Sequence, residues 1–228
     1  MRRLISAIAI AILALVVTSG RAEATPKKKK SSRSAASCYK ALDRLGVKYS
    51  KAKRRHIKLA VRVSGPIGGV SYSGYNKKPL VLDCSLVVSL AAAGPLLAAH
   101  GIEMAKYSSA YQVRRIRGSN RRSNHSYGLA IDVHSYHGDA LPTGLVIKDD
   151  YEQGLGDDVD CIGRPLTQNG AMLRALNCQF RRSGWFRSIL DPDYDANHYN
   201  HFHIEVSPWA EREDDPLQRL ADLAPTRG

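Results

Sequence analysis

Several patterns that define protein classes are missing from this sequence. Its 228 residues contain no internal repeat, and no two of the four cysteines have the two-residue spacing of a zinc knuckle. A repeat architecture and a metal held by sulfur are therefore not expected. Basic residues are not interleaved with aromatic ones in a stripe, which argues against nucleic-acid binding. A composition of 43% hydrophobic and 24% charged residues excludes collagen, coiled-coil and disordered chains and is typical of a globular protein.

The apolar run at the N-terminus is short for a membrane span. Arg2 and Arg3 precede the run from Leu4 to Val17, and Ala22-Glu23-Ala24 supplies small residues for a cleavage site. The pattern predicts a signal peptide over residues 1–24, with an uncleaved anchor as the alternative. We expect a periplasmic or secreted protein without a permanent membrane anchor.

The formal net charge of +13 lies partly outside the predicted globular region. Residues 25–37 include Lys27 to Lys30 and show no apolar periodicity, so we predict a disordered basic tether. Residues 38–228 suffice for one buried core. Interspersed strand and helix patterns predict a single α+β domain with a small antiparallel sheet and flanking helices.

Local patterns predict the main elements of this domain. Helices are expected over 38–45, over 168–181, and from a cap at Asp83 to about Ala99 with a break at Gly94-Pro95. Residues 59–72 predict two strands around a turn at Gly65-Pro66, and residues 102–117 look extended.

An even number of cysteines after a secretory signal predicts disulfide bonds. The four cysteines are Cys38, Cys84, Cys161 and Cys178. Three pairings are possible, and the sequence does not decide among them. We favour Cys38–Cys84 and Cys161–Cys178, because each bond would hold a flanking helix locally.

Six of the eight histidines lie between positions 125 and 203, in two clusters. In the first cluster, side chains alternate from Leu129 onward. The apolar face would hold Leu129, Ile131 and Val133, and the opposite face Ala130, Asp132 and His134. Gly128 allows a turn that would bring His125 back over the polar face.

The second cluster repeats this design. Its apolar face would hold Phe202, Ile204 and Val206, and its polar face His201, His203 and Glu205. If the two strands are neighbours in one sheet, His125, Asp132 and His203 converge. Two imidazoles and a carboxylate are a common ligand set for catalytic zinc, with water at the fourth position. An isolated His-x-His is usually a polar strand face, but two matching clusters favour a Zn²⁺ site on the sheet, with His201 or His198 accepting a proton.

These residues carry a resemblance to a known group of proteins. The pattern Ser123-x-His125-x-x-Gly128-x-Ala130-x-Asp132, followed by His201-x-His203, resembles the zinc site of the D-Ala-D-Ala metallocarboxypeptidase, lysostaphin and hedgehog superfamily. More narrowly, residues 38–206 resemble the bacterial extensin-like C-terminal domain family. The supporting segments are Tyr111-Gln112-Val113-Arg114, Asp83-Cys84, Cys178, Asp191-Pro192-Asp193-Tyr194 and His198.

The resemblance implies roles for individual residues. It makes His125, Asp132 and His203 zinc ligands, His201 and His198 catalytic, and Ser123 a hydrogen-bonding support of the first ligand. The D-Ala-D-Ala enzymes have a glutamate base where this chain has Asn200. The two extra histidines are more similar to the murein endopeptidase branch, whereas hedgehog-like relatives keep the metal without obvious turnover.

The expected function is therefore a secreted zinc metallopeptidase that acts on cell-wall peptides such as peptidoglycan stems. The alternative is a non-catalytic, zinc-stabilised module that binds a cell-envelope polymer as a monomer. Arg114 is the candidate for binding a substrate carboxylate, with a solvated basic loop as the equal alternative, and Lys51 to Lys58 are expected to be surface. If a histidine is the base, activity should fall below a pH of about 6.5.

Overall fold

The computed structural model describes residues 34–155, residues 163–212 and residue 216. The predicted signal peptide, residues 25–33 of the predicted tether and Cys161 lie outside these residues. The described part confirms the α+β class. The first helix begins at Ala35, three residues before the predicted start of the domain at position 38.

Helices and strands are interspersed along the chain. The helices are α1 (Ala35–Arg44), α2 (Cys84–Ala92), α3 (Gly94–Ala99), α4 (Ile147–Asp150) and α5 (Gln168–Ser183), with 3₁₀ turns at Asn124–Tyr127 and Trp209–Glu211. The strands are β1 (Tyr49–Lys51), β2 (Ala60–Val63), β3 (Ser71–Gly74), β4 (Val81–Asp83), β5 (Met104–Ser109), β6 (Ala130–Gly138), β7 (Leu141–Val146), β8 (Ser188–Leu190) and β9 (Phe202–Glu205).

The strands form two sheets. The smaller sheet has the order β1-β2-β4 and is antiparallel throughout. The larger sheet has the order β3-β5-β6-β9-β8, and β7 also pairs with β6. It is antiparallel except for the parallel pair of β3 with β5. The two strands predicted over 59–72 therefore exist, but they belong to different sheets.

The core is centred on α2, all of whose residues are buried. Asp83 caps this helix as predicted, because its carboxylate accepts a hydrogen bond from the Ser85 N–H at 3.0 Å. The predicted disulfide between Cys38 and Cys84 is present and joins α1 to α2. The predicted bond between Cys161 and Cys178 includes a residue outside the described part and stays a prediction.

The extended segment predicted over 102–117 is shorter than expected. Strand β5 ends at Ser109, and the residues from Gln112 to Ile116 are exposed. The alternating side chains of residues 111–116 therefore belong to a surface loop and not to a strand that packs against the core. In the described parts of the chain, no helix combines the length and the apolar character that a bilayer crossing needs.

Candidate metal centre

Strands β6 and β9 bring the two histidine clusters together. They pair antiparallel with Asp132 opposite His203 and Ile131 opposite Ile204. Residues directly opposite one another lie on the same face of a sheet. Both isoleucines are buried in the core, so Asp132 and His203 share the other face, as the alternation of side chains predicts.

A tight turn adds His125 to this face. His125 lies in the 3₁₀ turn before Gly128, whose φ of 64° is in the left-handed region. A Cβ atom on Gly128 would lie 2.7 Å from the backbone nitrogen of Asp83, so a larger residue does not fit without movement. The Gly128 carbonyl accepts a hydrogen bond from that same N–H at 2.9 Å, which fixes the turn against β4.

The three side chains converge on one point. His125 Nε2 lies 3.1 Å from Asp132 Oδ1 and 3.2 Å from His203 Nδ1, and His203 Nδ1 lies 2.8 Å from Asp132 Oδ1. All three residues are buried. Atoms this close can hold a single metal ion. The structure therefore assembles the predicted ligand set.

His125 and His203 each have one ring nitrogen that points away from the cluster. Hydrogen bonds to these outer nitrogens fix the orientation of the two rings. The other nitrogen of His125, Nδ1, lies 3.3 Å from the Ala110 carbonyl and 3.3 Å from Ser109 Oγ. The other nitrogen of His203, Nε2, lies 3.3 Å from Glu205 Oε2. Each acceptor favours an N–H on the outer nitrogen, so the inner nitrogen is the one that could bind a metal once it has lost its proton, an arrangement common around metal-bound histidines.

The charges of the cluster are strongly coupled. Burial raises the pKa of Asp132, but hydrogen bonds from His125 and His203 outweigh it and hold that pKa well below its usual range. Burial lowers the pKa of His203, whereas hydrogen bonds to Asp132 and Glu205 raise it more, to about 9. Without a metal, His203 therefore carries a proton at neutral pH.

His201 lies beside the ligands and is held differently. Its Nε2 is 3.5 Å from Asp132 Oδ1, and its Nδ1 is 2.9 Å from Asn200 Oδ1. The asparagine oxygen accepts the N–H of Nδ1, which leaves the lone pair of Nε2 directed toward the cluster. Burial is the main reason that the pKa of His201 is lowered to about 4, so this imidazole is neutral at pH 7.

His198 forms the outer edge of the cluster. Its Nδ1 lies 2.7 Å from Asp195 Oδ1, and its ring centre is 5.2 Å from that of His201 and 5.7 Å from that of His203. His198, His201 and His203 form a second group whose ligand atoms are close enough for a metal. Both predicted catalytic histidines thus lie at the candidate site.

Arg114 and Ser123 lie at the edge of the cluster. The Arg114 guanidinium lies 3.9 Å from Asp132 Oδ2, so it faces a carboxylate of the cluster itself. Ser123 reaches Arg114 through its backbone, with its N–H 3.0 Å from the Arg114 carbonyl. The support of His125 that was assigned to Ser123 comes instead from Ser109 and Ala110, because the 3₁₀ turn directs Nδ1 toward the end of β5.

Several supporting residues were missed in the sequence. Ser109 and Asp195 orient histidines, and Asn124 donates a hydrogen bond of 2.6 Å to Glu205 Oε2. Glu205 lies on the same face as His203, as the alternation of side chains predicts, and contacts its Nε2. His134 binds Ser108 Oγ at 2.7 Å and its ring centre is 5.2 Å from that of His201. Of these supporting residues, only Glu205 could have been found from the sequence, because it lies two residues after His203 and therefore on the same face of the strand.

An ionic network around the buried Arg174 and Asp191 anchors the segment that leads to His198. Arg174 is 1% exposed and lies 3.1 Å from Asp193 Oδ2, while Arg181 lies 2.7 Å from Asp191 Oδ2. The Tyr151 hydroxyl contacts both carboxylates. The network connects α5 to the segment between β8 and β9, and this accounts for the two aspartates of the Asp191-Pro192-Asp193-Tyr194 motif.

Replacing Arg174 by methionine is expected to destabilise the domain by about 3–5 kcal/mol, because it leaves a partly buried carboxylate without its partner. Urea unfolding followed by circular dichroism measures this change. Lys148→Met, an exposed substitution on α4, is the control and should stay within about 0.5 kcal/mol. An Arg174→Met variant as stable as that control would contradict a structural role for the network.

One comparison with known proteins gives a match. Residues 36–213 match a family model described as extensin-like protein C-terminus. The match includes both histidine clusters, the turn at Gly128 and the network around Arg174. The searches of curated proteins and of solved structures gave no match.

Proposed function

Since the chain belongs to the extensin-like protein C-terminal family, we propose that it is a secreted zinc-dependent amide hydrolase that acts on cell-wall peptides such as peptidoglycan stems. The motifs around His125 and His203 support a place in the superfamily of D-Ala-D-Ala metallocarboxypeptidases, lysostaphin-type endopeptidases and hedgehog domains. The N-terminal signal pattern supports export to the periplasm or beyond.

The donor set suits zinc. Tetrahedral zinc with bonds of about 2.0–2.1 Å separates its ligand atoms by about 3.3 Å. The three separations here, 2.8, 3.1 and 3.2 Å, are slightly shorter. Two imidazoles and one carboxylate leave the fourth position for water or substrate. His125, Asp132 and His203 would hold the ion.

The position of His201 beside the three ligand residues, with its Nε2 3.5 Å from Asp132 Oδ1, is the observation that carries this proposal. Bound zinc would acidify water and polarise an amide carbonyl. His201 Nε2 has a free lone pair and can accept the proton of the attacking water, and the same nitrogen can return the proton to the leaving amine. Asn200 does not replace the missing glutamate as a base. It holds the His201 ring in the tautomer that can act as one.

His198 and Arg114 complete the surroundings of the substrate. Asp195 holds Nδ1 of His198, which leaves Nε2 to donate to or accept from a substrate oxygen. The Arg114 side chain is 42% exposed, so it can meet a substrate group as well as Asp132. Oxygen that gains negative charge in the transition state is stabilised by such positioned donors.

A non-catalytic zinc module that binds the envelope is the second candidate. The observation in its favour is Asn200, because the carboxylate base of the D-Ala-D-Ala enzymes is absent. Such a module would bind zinc with the same three ligands and leave its polymer intact. The two candidates therefore differ in turnover and not in metal content.

Digestion of purified peptidoglycan separates them. The zinc-loaded protein is incubated with peptidoglycan and the products are resolved by chromatography and mass spectrometry, beside a His203→Ala control. New fragments from the intact protein alone would support the hydrolase, and their masses would identify the bond. An unchanged profile with one zinc per chain would favour the binding module.

Zinc binding is expected to release about one proton per ion at pH 7, because the metal must displace a proton from His203, whose pKa is about 9. Zinc affinity should therefore fall about tenfold per pH unit of acidification below 9. Calorimetry in buffers with different ionisation enthalpies measures the released protons. Glu205→Gln should release fewer, because it loses a carboxylate that raises this pKa. No release from the intact protein at pH 7 would contradict the assignment.

A further inference from the structure

The loop between β1 and β2 is a basic surface without acidic partners. Lys53, Arg54, Arg55 and Lys58 are exposed, and residues 51–58 contain no aspartate or glutamate. Among the described residues, no carboxylate forms an ion pair with these four side chains. Four positive charges are therefore available to an external partner.

A second basic segment, 114–122, folds back on itself. The Ile116 N–H donates to the Arg121 carbonyl at 2.9 Å, and Arg115 pairs with Arg122 as an isolated bridge. The basic side chains of this hairpin beyond Arg114 are Arg115, Arg117, Arg121 and Arg122. No acidic residue occurs between positions 110 and 123. The hairpin adds four charges of the same sign.

The loop and the hairpin meet. The Tyr111 hydroxyl donates to the Arg55 carbonyl at 3.1 Å, and the Tyr111 ring packs against a small apolar cluster that includes Ile57. Burial, and then the positive charges of Arg122 in the hairpin and Arg55 in the loop, lower the pKa of His56. Residues 53–58 and 115–122 thus form one continuous patch, called the basic surface below.

The basic surface adjoins the metal centre by two routes. The Gln112 N–H, just before the hairpin, donates to the His125 carbonyl at 3.3 Å. The residues that line a cavity of about 410 Å³ include Arg54, Lys78 and Ser109. Ser109 Oγ contacts His125 Nδ1. A chain bound to the basic surface would therefore pass beside the candidate site.

We propose that the basic surface binds a linear acidic polymer and holds it beside the metal centre. Six of its eight cations are arginines, whose planar forks bind phosphate or carboxylate groups in pairs. Eight like charges on one patch attract an extended polyanion over a distance. The two segments contain no Phe, Tyr or Trp, so they lack the stacking platform that single-stranded nucleic acids use. This binding needs no turnover and is independent of the proposed hydrolysis.

Matched charge variants of the full-length chain test the proposal. R54Q/R55Q/R117Q/R121Q removes four charges from the basic surface, and K40Q/R44Q/K148Q/R164Q removes four exposed charges elsewhere. The probes are inorganic polyphosphate and poly-L-glutamate. We expect the first variant to bind at least about tenfold more weakly, with a log-log salt slope smaller by about 3–4, and the control to stay within about twofold.

The outcomes are distinct. Selective loss in the first variant supports the surface, and the more tightly bound probe identifies phosphate or carboxylate as the polymer's charge. Equal loss in both variants, or no loss in either, would overturn it, as would tighter binding of single-stranded DNA than of both probes. An unchanged circular dichroism spectrum and unfolding temperature in each variant show that the fold is intact. Because no cleavage is measured, a protein inactive on peptidoglycan would leave this result unaffected.

Discussion

Replacing Asp132 by asparagine is expected to abolish zinc binding and, with it, peptide hydrolysis. The asparagine side chain has the size of the aspartate side chain. It lacks the negative charge that faces both imidazoles and that would face a bound zinc ion. Zinc affinity should fall by more than about 100-fold, beyond the 10–100-fold typical of losing an outer hydrogen bond. Competition with a chromophoric chelator measures the affinity, and elemental analysis of dialysed protein measures the stoichiometry.

Glu205→Gln is the matched control for this prediction. Glu205 contacts Nε2 of His203 and does not belong to the three proposed zinc ligands. Its loss should lower zinc affinity by about 10–100-fold. Circular dichroism checks that both variants fold. An Asp132→Asn protein that retains one zinc with unchanged affinity would exclude the proposed ligand set.

Replacing His201 by alanine is expected to lower kcat by about 10²–10⁴-fold and to leave zinc binding unchanged. The reason is geometric, since Nε2 of His201 is close to the ligands but not one of the three atoms that converge. His137→Ala is the control, because His137 hydrogen-bonds Ser135 on β6 and should not affect turnover. A His201→Ala protein with full activity would move the proton transfer to another group.

The pH profile refines this assignment. The sequence predicts a loss of activity below a pH of about 6.5, the value of an unperturbed imidazole. Burial lowers the pKa of His201 to about 4, so the base stays neutral, and therefore active, above that value. With saturating zinc, activity should persist at pH 5.5. A loss centred at 6.5 under those conditions would indicate a different base.

Alternating side chains predicted the faces of the two strands that carry the site. The period of two placed Asp132 and His203 opposite the core without any knowledge of the fold, and Gly128 predicted the turn at His125. The alternation does not decide whether β6 and β9 pair, because pairing between strands far apart in the chain depends on the whole sheet. In the structure the two strands are neighbours, with Asp132 directly opposite His203.

The supporting hydrogen bonds were beyond prediction for a related reason. Ser109, which contacts His125, belongs to a strand that reaches the site through a shifted register between β5 and β6. Such a shift leaves no periodic trace in the sequence. Ser123 fitted the motif and was chosen for that reason, but a serine near a ligand in sequence need not face it in space.

The ionic network around Arg174 could not be predicted from the local sequence either. Arg174 lies in a helix whose pattern is otherwise amphipathic, and a buried arginine is recognised only once Asp193 is placed beside it. The same holds for the parallel pair of β3 and β5, because hydrophobic alternation does not specify the direction of a neighbour. Both depend on contacts between segments distant in the chain.

The disulfide between Cys38 and Cys84 has a mechanical consequence. Cys38 is the fourth residue of α1, and Cys84 begins the buried helix at the centre of the core. A pulling force applied to the chain ahead of Ala35 would reach a covalent bond after a single helical turn and pass directly into α2. The force could not peel α1 from the domain turn by turn. A domain held to a wall through its N-terminal arm could thus bear load without unfolding from the end that is pulled.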